Sequence, residues 1–515
     1  MNAEQYNDFL CAKVKLAEQF GFDVVDEEIN PILKSHQRAI VRWLVRMGRA
    51  ACFAAFGLGK SVIQIEAVRL TLARAGGIGL ITIPLGVRQE FMRDAKMLDV
   101  PVKFIRRIEE VEDDIGIYLT NYESVRDGKL DPRRFTVASL DEASCLRGFG
   151  GTKTFREFMA LFAGDRKTMN ERVLGEAVRY RFVATATPSP NDFIELLAYS
   201  AFLGVMDVGQ AKTRFFRRNS EKADELTIHP HKQKEFWLWV SSWSLFVQRP
   251  SDLGYSDEGY VLPEMEIHWH EIPSDHSEAG FDSRGQGMLL KQQAIGVVDS
   301  AREKRESLPS RIAKMLELRA LDLPAHRIIW HDLEAERHAI EQAVPDAVSV
   351  YGAQDLDERE QTIIDFSDGR IRELAAKPVI AGSGCNFQRH CAWAIFLGIG
   401  FKFNDFIQAI HRIQRFLQTR RVRIDLIYTE SEREVRRRLE AKWDKHKVTV
   451  AKMIEIIREY GLSNAAMAET LQRAMGVERI EVSGRDFRII NNDCVQETAA
   501  MPENSIDLVL TSVPF

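Results

Sequence analysis

Short apolar runs that each end in small polar residues constrain this chain more than any other feature. "ACFAAF", "IGLITIPL", "GIYLTNYESV", "FTVASLDEAS" and "YRFVATATPSPND" are runs of this kind in the first 200 residues. A second series, "HRIIWHDL", "AVSVYGA", "KPVIAGSGCNF", "WAIFLGIGF" and "RIDLIYT", starts near residue 305. Helix-patterned stretches separate them, such as "QRAIVRWLVRMGRA" and "VIQIEAVRLTLARAG". Strands alternating with helices predict the α/β class with parallel sheets. Ligands of such sheets sit at the carboxyl ends of the strands.

The 515 residues suffice for about three or four domains. The expected division is a helical N-terminal segment (1–30), a first α/β domain (31–205), an insertion or connector (206–304), a second α/β domain (305–430), a helical linker (431–484) and a terminal piece (485–515). The connector is rich in Trp and Phe ("FWLWVSSWSLF"). In the linker, Arg436, Arg437 and Arg438 are interspersed with acids, the pattern of a solvated helix. No apolar run is long enough to span a membrane, and the N-terminus lacks a basic and then apolar leader. The six cysteines are scattered without a C-x-x-C pair, so neither a zinc site nor a disulfide framework is supported. A cytoplasmic protein with reduced thiols is expected. With 70 basic and 75 acidic residues the chain is not a uniformly basic nucleic-acid binder, though a local basic groove stays open.

"FGLGKS", Phe56 to Ser61, lies between a strand and a helix. Gly57 and Gly59 let the backbone turn and present N–H groups to phosphate oxygens, with the helix dipole behind them. Lys60 would reach the β/γ-phosphates, and the Ser61 hydroxyl would ligate Mg2+. An ordinary strand–turn–helix would also satisfy this short pattern, and Ala54 stands where the full phosphate-loop pattern asks for glycine. About 80 residues later Asp141-Glu142 closes another apolar strand. There Asp141 can hold Mg2+ and Glu142 can polarise an attacking water. Thr185 and Thr187 end a further strand and could relay toward the second domain. In "QAIHRIQRF", Gln408, His411, Arg412 and Arg415 share one helical face by spacing. Two such arginines can serve as arginine fingers, or simply form a solvated basic face.

The order of these parts resembles superfamily 2 helicases and translocases, and within them the Swi/Snf-like DNA-translocating ATPases. "LKSHQRAIVRWL" resembles the adenine-reading segment, "AAFGLGKS" motif I, "LITIPLGVRQEF" motif Ia and "LDEAS" the DEAD/DEAH box. "ATATPSPNDFIELLAYSAFL", "VYGAQDLDEREQTIIDF", "VIAGSGCNFQ" and "QAIHRIQR" resemble the later motifs in order. The resemblance implies two RecA-like domains, ATP and Mg2+ as cofactors, and DNA, in duplex form, as partner. It carries Gln37 and Gln408 over as ATP contacts, with Gly57, Gly59, Lys60 and Ser61. It makes Lys60, Asp141, Glu142, Arg412 and Arg415 catalytic, and Ser61 and Asp141 the metal ligands. Thr82, Thr185, Thr187 and Ser383 become the candidates for coupling to nucleic acid. A strand-separating DNA or RNA helicase and a motor joined to a methylating enzyme are the alternatives.

The last residues, "DFRIINNDCVQETAAMPENSIDLVLTSVPF", resemble the opening of an amino-directed DNA methyltransferase. Ser512, Pro514 and Phe515 match the loop in which that family holds a flipped base. A buried strand ending in a loop would read the same from "SVPF" alone. The family's S-adenosylmethionine motif follows this loop in sequence, so that cofactor is expected only in a longer chain. The resemblance implies a bacterial or phage modification or defence system, with partner subunits of that system, and no methyl transfer by these 515 residues.

Overall fold

The structure is a computed structural model. It describes residues 16–112, 115–143, 146, 153–167, 172–174, 178–189, 193–218, 226–274, 297–381, 386–400, 402–460, 480–491, 497, 501–502 and 505–506.

The N-terminal half opens with helix α1 (Ser35–Met47), which stops where Gly48 takes a left-handed conformation (φ 66°) and returns its N–H to the Leu44 carbonyl. Strand β1 (Arg49–Ala54), helix α2 (Lys60–Ala75), strand β2 (Gly79–Ile83) and helix α3 (Arg88–Met97) follow. Strands β3 (Val102–Phe104), β4 (Ile117–Asn121), β5 (Val137–Asp141) and β6 (Tyr180–Ala184) come next. Helix α4 (Gln233–Ser241) then leads into β7 (Ser244–Val247). These seven strands form one all-parallel sheet in the order β7-β1-β6-β5-β2-β4-β3. β2, β4, β5 and β6 are buried along their whole length. Helices cover both faces of such a sheet, so its strands stay apolar instead of alternating.

The second sheet is built from β8 (Met265–Ile272), β9 (Arg327–Trp330), β10 (Val348–Val350), β11 (Glu373–Ala376), β12 (Trp393–Phe396) and β13 (Val422–Thr429). Its order is β8-β13-β12-β9-β11-β10, again all parallel. Helix α5 (Leu356–Ser367) lies between β10 and β11 in sequence, and α6 (Phe403–Ile410) between β12 and β13. The fold is the α/β class with two parallel-sheet domains.

Several of these expectations shift. The stretch 206–304 is not a connector throughout. β7 extends the first sheet beside β1, with Ala51 opposite Ser244, and β8 forms the edge of the second beside β13. Trp237, Trp239 and Trp243 belong to the first core, so the aromatic run is core sequence. Residues 16–30 are not helical apart from a short turn at Asp26–Glu28; Phe20, Gly21 and Phe22 instead donate backbone N–H groups to carbonyls of Met47, Arg46 and Val45. "KPVIAGSGCNF" is not a strand where described. The strand is the preceding Glu373–Ala376, and Pro378, which has no N–H to give a sheet, begins a short helix.

Helix α7 (Arg433–Tyr460) occupies the first part of the expected linker and packs on both domains; the end of that stretch is not helical, since Ile480–Ser483 is a strand paired antiparallel with Arg488–Asn491 across the expected boundary at 484. Val435 and Leu439 sit in the second core, while Met453 is fully buried in the first. Arg437 and Arg438 pair with Glu434 along the helix, and Arg436 lies over Trp269 and bonds the Tyr428 hydroxyl at 2.7 Å. Among the described residues no helix is long and apolar enough to cross a membrane.

Candidate active site

The carboxyl ends of β1 and β5 meet the second domain at one small cleft. Its lining includes Gly57, Gly59, Lys60, Ser61, Asp141 and Glu142 from the first domain and Arg412 and Arg415 from the second. The cleft is formed by the turn after β1. Gly57 and Gly59 both have positive φ (90° and 81°), which a glycine adopts without strain. Gly57 is also required sterically, because a Cβ there would meet the Phe416 backbone at 2.8 Å. Helix α2 starts at Lys60, so its unpaired N–H groups face the turn.

Lys60 donates from Nζ to the Ala54 carbonyl at 3.2 Å. Burial pushes its ammonium below the ordinary lysine range, and the charges of Glu142 and Asp141 pull the other way. Asp141 accepts from Gln64 Nε2 at 2.8 Å. Its carboxyl is pushed up to about 7, by burial first and by the neighbouring Glu142 second. Ser61 does not bond Asp141. Its hydroxyl donates to Asp94 Oδ2, on α3, at 2.5 Å.

Glu142 has φ 49°, a left-handed conformation costing a non-glycine residue on the order of 1 kcal/mol or more. Two neighbours hold it there. β5 and β6 pair with Asp141 opposite Ala184, so Glu142 N–H donates to the Ala184 carbonyl at 2.8 Å. Thr185 then donates its hydroxyl to Glu142 Oε2, also at 2.8 Å. The Thr187 N–H donates to the Thr185 hydroxyl at 3.1 Å, and the Thr187 hydroxyl donates to Asn404 of α6 at 2.6 Å. A hydrogen-bonded line thus runs from Glu142 into the second domain.

The helical face expected over 408–415 is cut short. α6 ends at Ile410, and Arg412 and Arg415 lie in the turns that follow. Gln414 and Gln418 stabilise those turns by donating to the carbonyls of Pro263 and of Cys391 and Ile413. Both arginines still reach the cleft. Arg415 lies 3.5 Å from Glu90 of α3, and His411 stacks on Phe56 at 4.5 Å between ring centroids.

The other expected residues are more dispersed. Gln37 is buried beside the loop, with its amide accepting from Lys34 N–H and donating to the Leu58 carbonyl. Gln408 lines a larger, adjoining cavity of about 730 Å3 between the domains, with Asn404 and Glu360, which shares Glu90 and Glu142 with the cleft. Thr82 is fully buried inside β2, so its hydroxyl cannot touch nucleic acid, and that expectation is corrected. Thr185 and Thr187 are equally buried and form the internal line from Glu142 to Asn404. Ser383, Ser512, Pro514 and Phe515 lie outside the described residues.

Glu90, Asp94 and Gln64 escaped sequence reasoning. The available signal was spacing, since Glu90 and Asp94 are four residues apart at a predicted strand-to-helix junction and so share a face. Arg88 and Gln89 begin the same helix and bond Glu360 of α5 at 2.9 and 2.8 Å, with Arg88 also 3.2 Å from Asp357.

The donor set fits a magnesium nucleotide in kind: a glycine turn at a helix start, a lysine, a hydroxyl and a carboxylate for the metal, and two guanidinium groups opposite. The space is narrower than the chemistry. The cleft has a volume of about 60 Å3, whereas small-molecule sites run to roughly 300 Å3 or more. A nucleotide needs more room than this cleft alone gives, and the larger cavity between the domains adjoins it at Glu90 and Glu142.

No family model matches this chain, and no curated protein does. Among solved structures it is similar to the Sulfolobus solfataricus SWI2/SNF2 ATPase core in complex with dsDNA, at 17% identity over 79% of this chain and 90% of that one, with a TM-score of 0.38.

Proposed function

We propose that this protein is an ATP-dependent DNA translocase of the superfamily 2 helicase class, which hydrolyses ATP to move along duplex DNA. The observation that carries the reading is the gathering of Lys60, Ser61, Asp141 and Glu142 from one domain against Arg412 and Arg415 from the other. Residues 80 to 355 positions apart in sequence meet at one cleft in the combination that phosphoryl transfer needs.

In this reading the turn at Gly57–Ser61 and Lys60 hold the phosphates. Ser61 and Asp141 would hold Mg2+, which neutralises charge on the β- and γ-oxygens. Glu142 orients the attacking water and takes its proton. Arg412 and Arg415 close on the charge that develops at the γ-phosphate. Because they come from the other domain, hydrolysis is tied to closure and product release to opening. A duplex gripped by both domains would then be advanced by each cycle. The ordered motif series and the terminal resemblance favour DNA over RNA. They also favour a motor that works beside a methyltransferase in a bacterial or phage modification or defence system.

The test is phosphate release with and without duplex DNA. Wild-type protein turns over ATP faster with DNA, and Lys60→Ala abolishes turnover. Normal hydrolysis by Lys60→Ala would overturn the site. Displacement of a labelled strand from a forked duplex would replace translocation by unwinding.

A further inference from the structure

Ser61 carries a single hydroxyl proton, and its destination decides what the oxygen can do. That proton points to Asp94 Oδ2, at 2.5 Å. Asp141, the carboxylate nearest in role, is engaged by Gln64 Nε2 instead. With the proton committed to Asp94, the serine lone pairs are what remains for a partner on the Lys60 side. A hard divalent cation takes oxygen lone pairs, and the groups that orient its ligands from behind commonly matter almost as much as the ligands.

Asp94 is placed there by the helix that carries it. α3 follows the buried strand β2 and turns one face to the cleft. Glu90, one turn before Asp94, lies on that face and reaches Arg415 at 3.5 Å. Phe91 of the same helix is buried in the first core and lines the cleft as well. Helix α3 is therefore held on its cleft face and against the first core, one turn before the carboxylate that meets Ser61.

We infer that Asp94 is a positioning residue of the nucleotide site, which orients the Ser61 hydroxyl so that its oxygen faces the metal of Mg·ATP. The inference rests on the ATPase reading above. It goes further by assigning metal dependence to a carboxylate outside the phosphate loop and the acidic box.

The experiment measures binding of a fluorescent, non-hydrolysable ATP analogue to full-length protein, in Mg2+ and in EDTA, for wild type, Asp94→Ala, Asp94→Asn and Lys60→Ala. Asp94→Ala should weaken binding in Mg2+ by about 10- to 100-fold and leave binding in EDTA unchanged. Asp94→Asn, whose amide oxygen still accepts the serine proton, should stay near wild type in both. Its retention also keeps the test decisive if the alanine variant folds poorly, because an asparagine that loses the Mg2+ advantage overturns the inference. Equal losses for Asp94→Ala with and without metal would mean a merely structural role and would overturn it too. If wild type binds no analogue, or Lys60→Ala binds as well as wild type, the ATPase reading itself fails, and this inference with it.

Discussion

The Thr187 hydroxyl donates to Asn404 Oδ1 at 2.6 Å across the boundary between the two domains. Behind it, Thr185 links Thr187 to Glu142. The carboxylate that would activate water is thus three hydrogen bonds from a side chain of the other domain. Thr187→Val keeps the shape and removes the donor. ATP turnover without DNA should change by less than about threefold, and stimulation by DNA should fall about tenfold, the scale of one lost hydrogen bond in a buried line. Unchanged stimulation would show that domain closure is sensed elsewhere.

Glu142→Gln retains an oxygen for Thr185 and loses the base. The turnover number should fall by about 10²- to 10⁴-fold, with nucleotide affinity kept, as read by single-turnover hydrolysis and analogue binding. A parallel loss of binding would move Glu142 from proton transfer to architecture.

For Arg415 the two substitutions separate charge from shape. Arg415→Ala should cost about 10³-fold or more in turnover. Arg415→Lys should recover little of it, because an ammonium lacks the planar fork of a guanidinium. Full rescue by lysine would mean that Arg415 acts only through its charge.

The raised Asp141 carboxyl makes a prediction about stability. Its folded-state value of about 7 lies above the ordinary 3.8, so between these values the folded protein holds a proton that the unfolded chain has released. The stabilisation linked to that proton is present at the acid end and is lost as the pH rises through about 4 to 7. Asp141→Asn has no such proton. In urea titrations without nucleotide, the stability of Asp141→Asn relative to wild type should rise from pH 5 to pH 8, by on the order of a few kcal/mol. A difference independent of pH would show that this carboxyl is ionised throughout.

Trp243 is fully buried in the first core, in the stretch that reads as a connector. Trp243→Ala should cost about 3–5 kcal/mol, seen as a large drop in the unfolding midpoint. A surface change such as Arg437→Ala should stay within about 0.5 kcal/mol.

The sheets were legible because a strand buried on both faces leaves an unbroken apolar run, as at Gly79–Ile83 and Val137–Asp141. The glycine turn and the Asp141-Glu142 pair were legible because each closes such a run. β7 was not, since four residues, "SLFV", become a strand only through pairing with β1, some 190 positions earlier. The periodicity of Gln408, His411, Arg412 and Arg415 is real in the sequence. Side-chain bonds of Gln414 and Gln418 to distant carbonyls outcompete the helix after Ile410, and no local pattern announces them. Thr82 was misplaced for a related reason. Its position near the strand end suggests access, and only the burial of the sheet face that carries it removes it.

Helix α7 bears on how the cleft can open. Leu439 is anchored in one core and Met453 in the other, fourteen residue steps apart on one continuous helix. That is a rod about 21 Å long at 1.5 Å per residue. A rod seated at both ends keeps its own length while the bodies it joins tilt. The domains are thereby denied a simple translation apart and left with rotation about the rod's seats. In the proposed motor, the stroke would turn about these two seats.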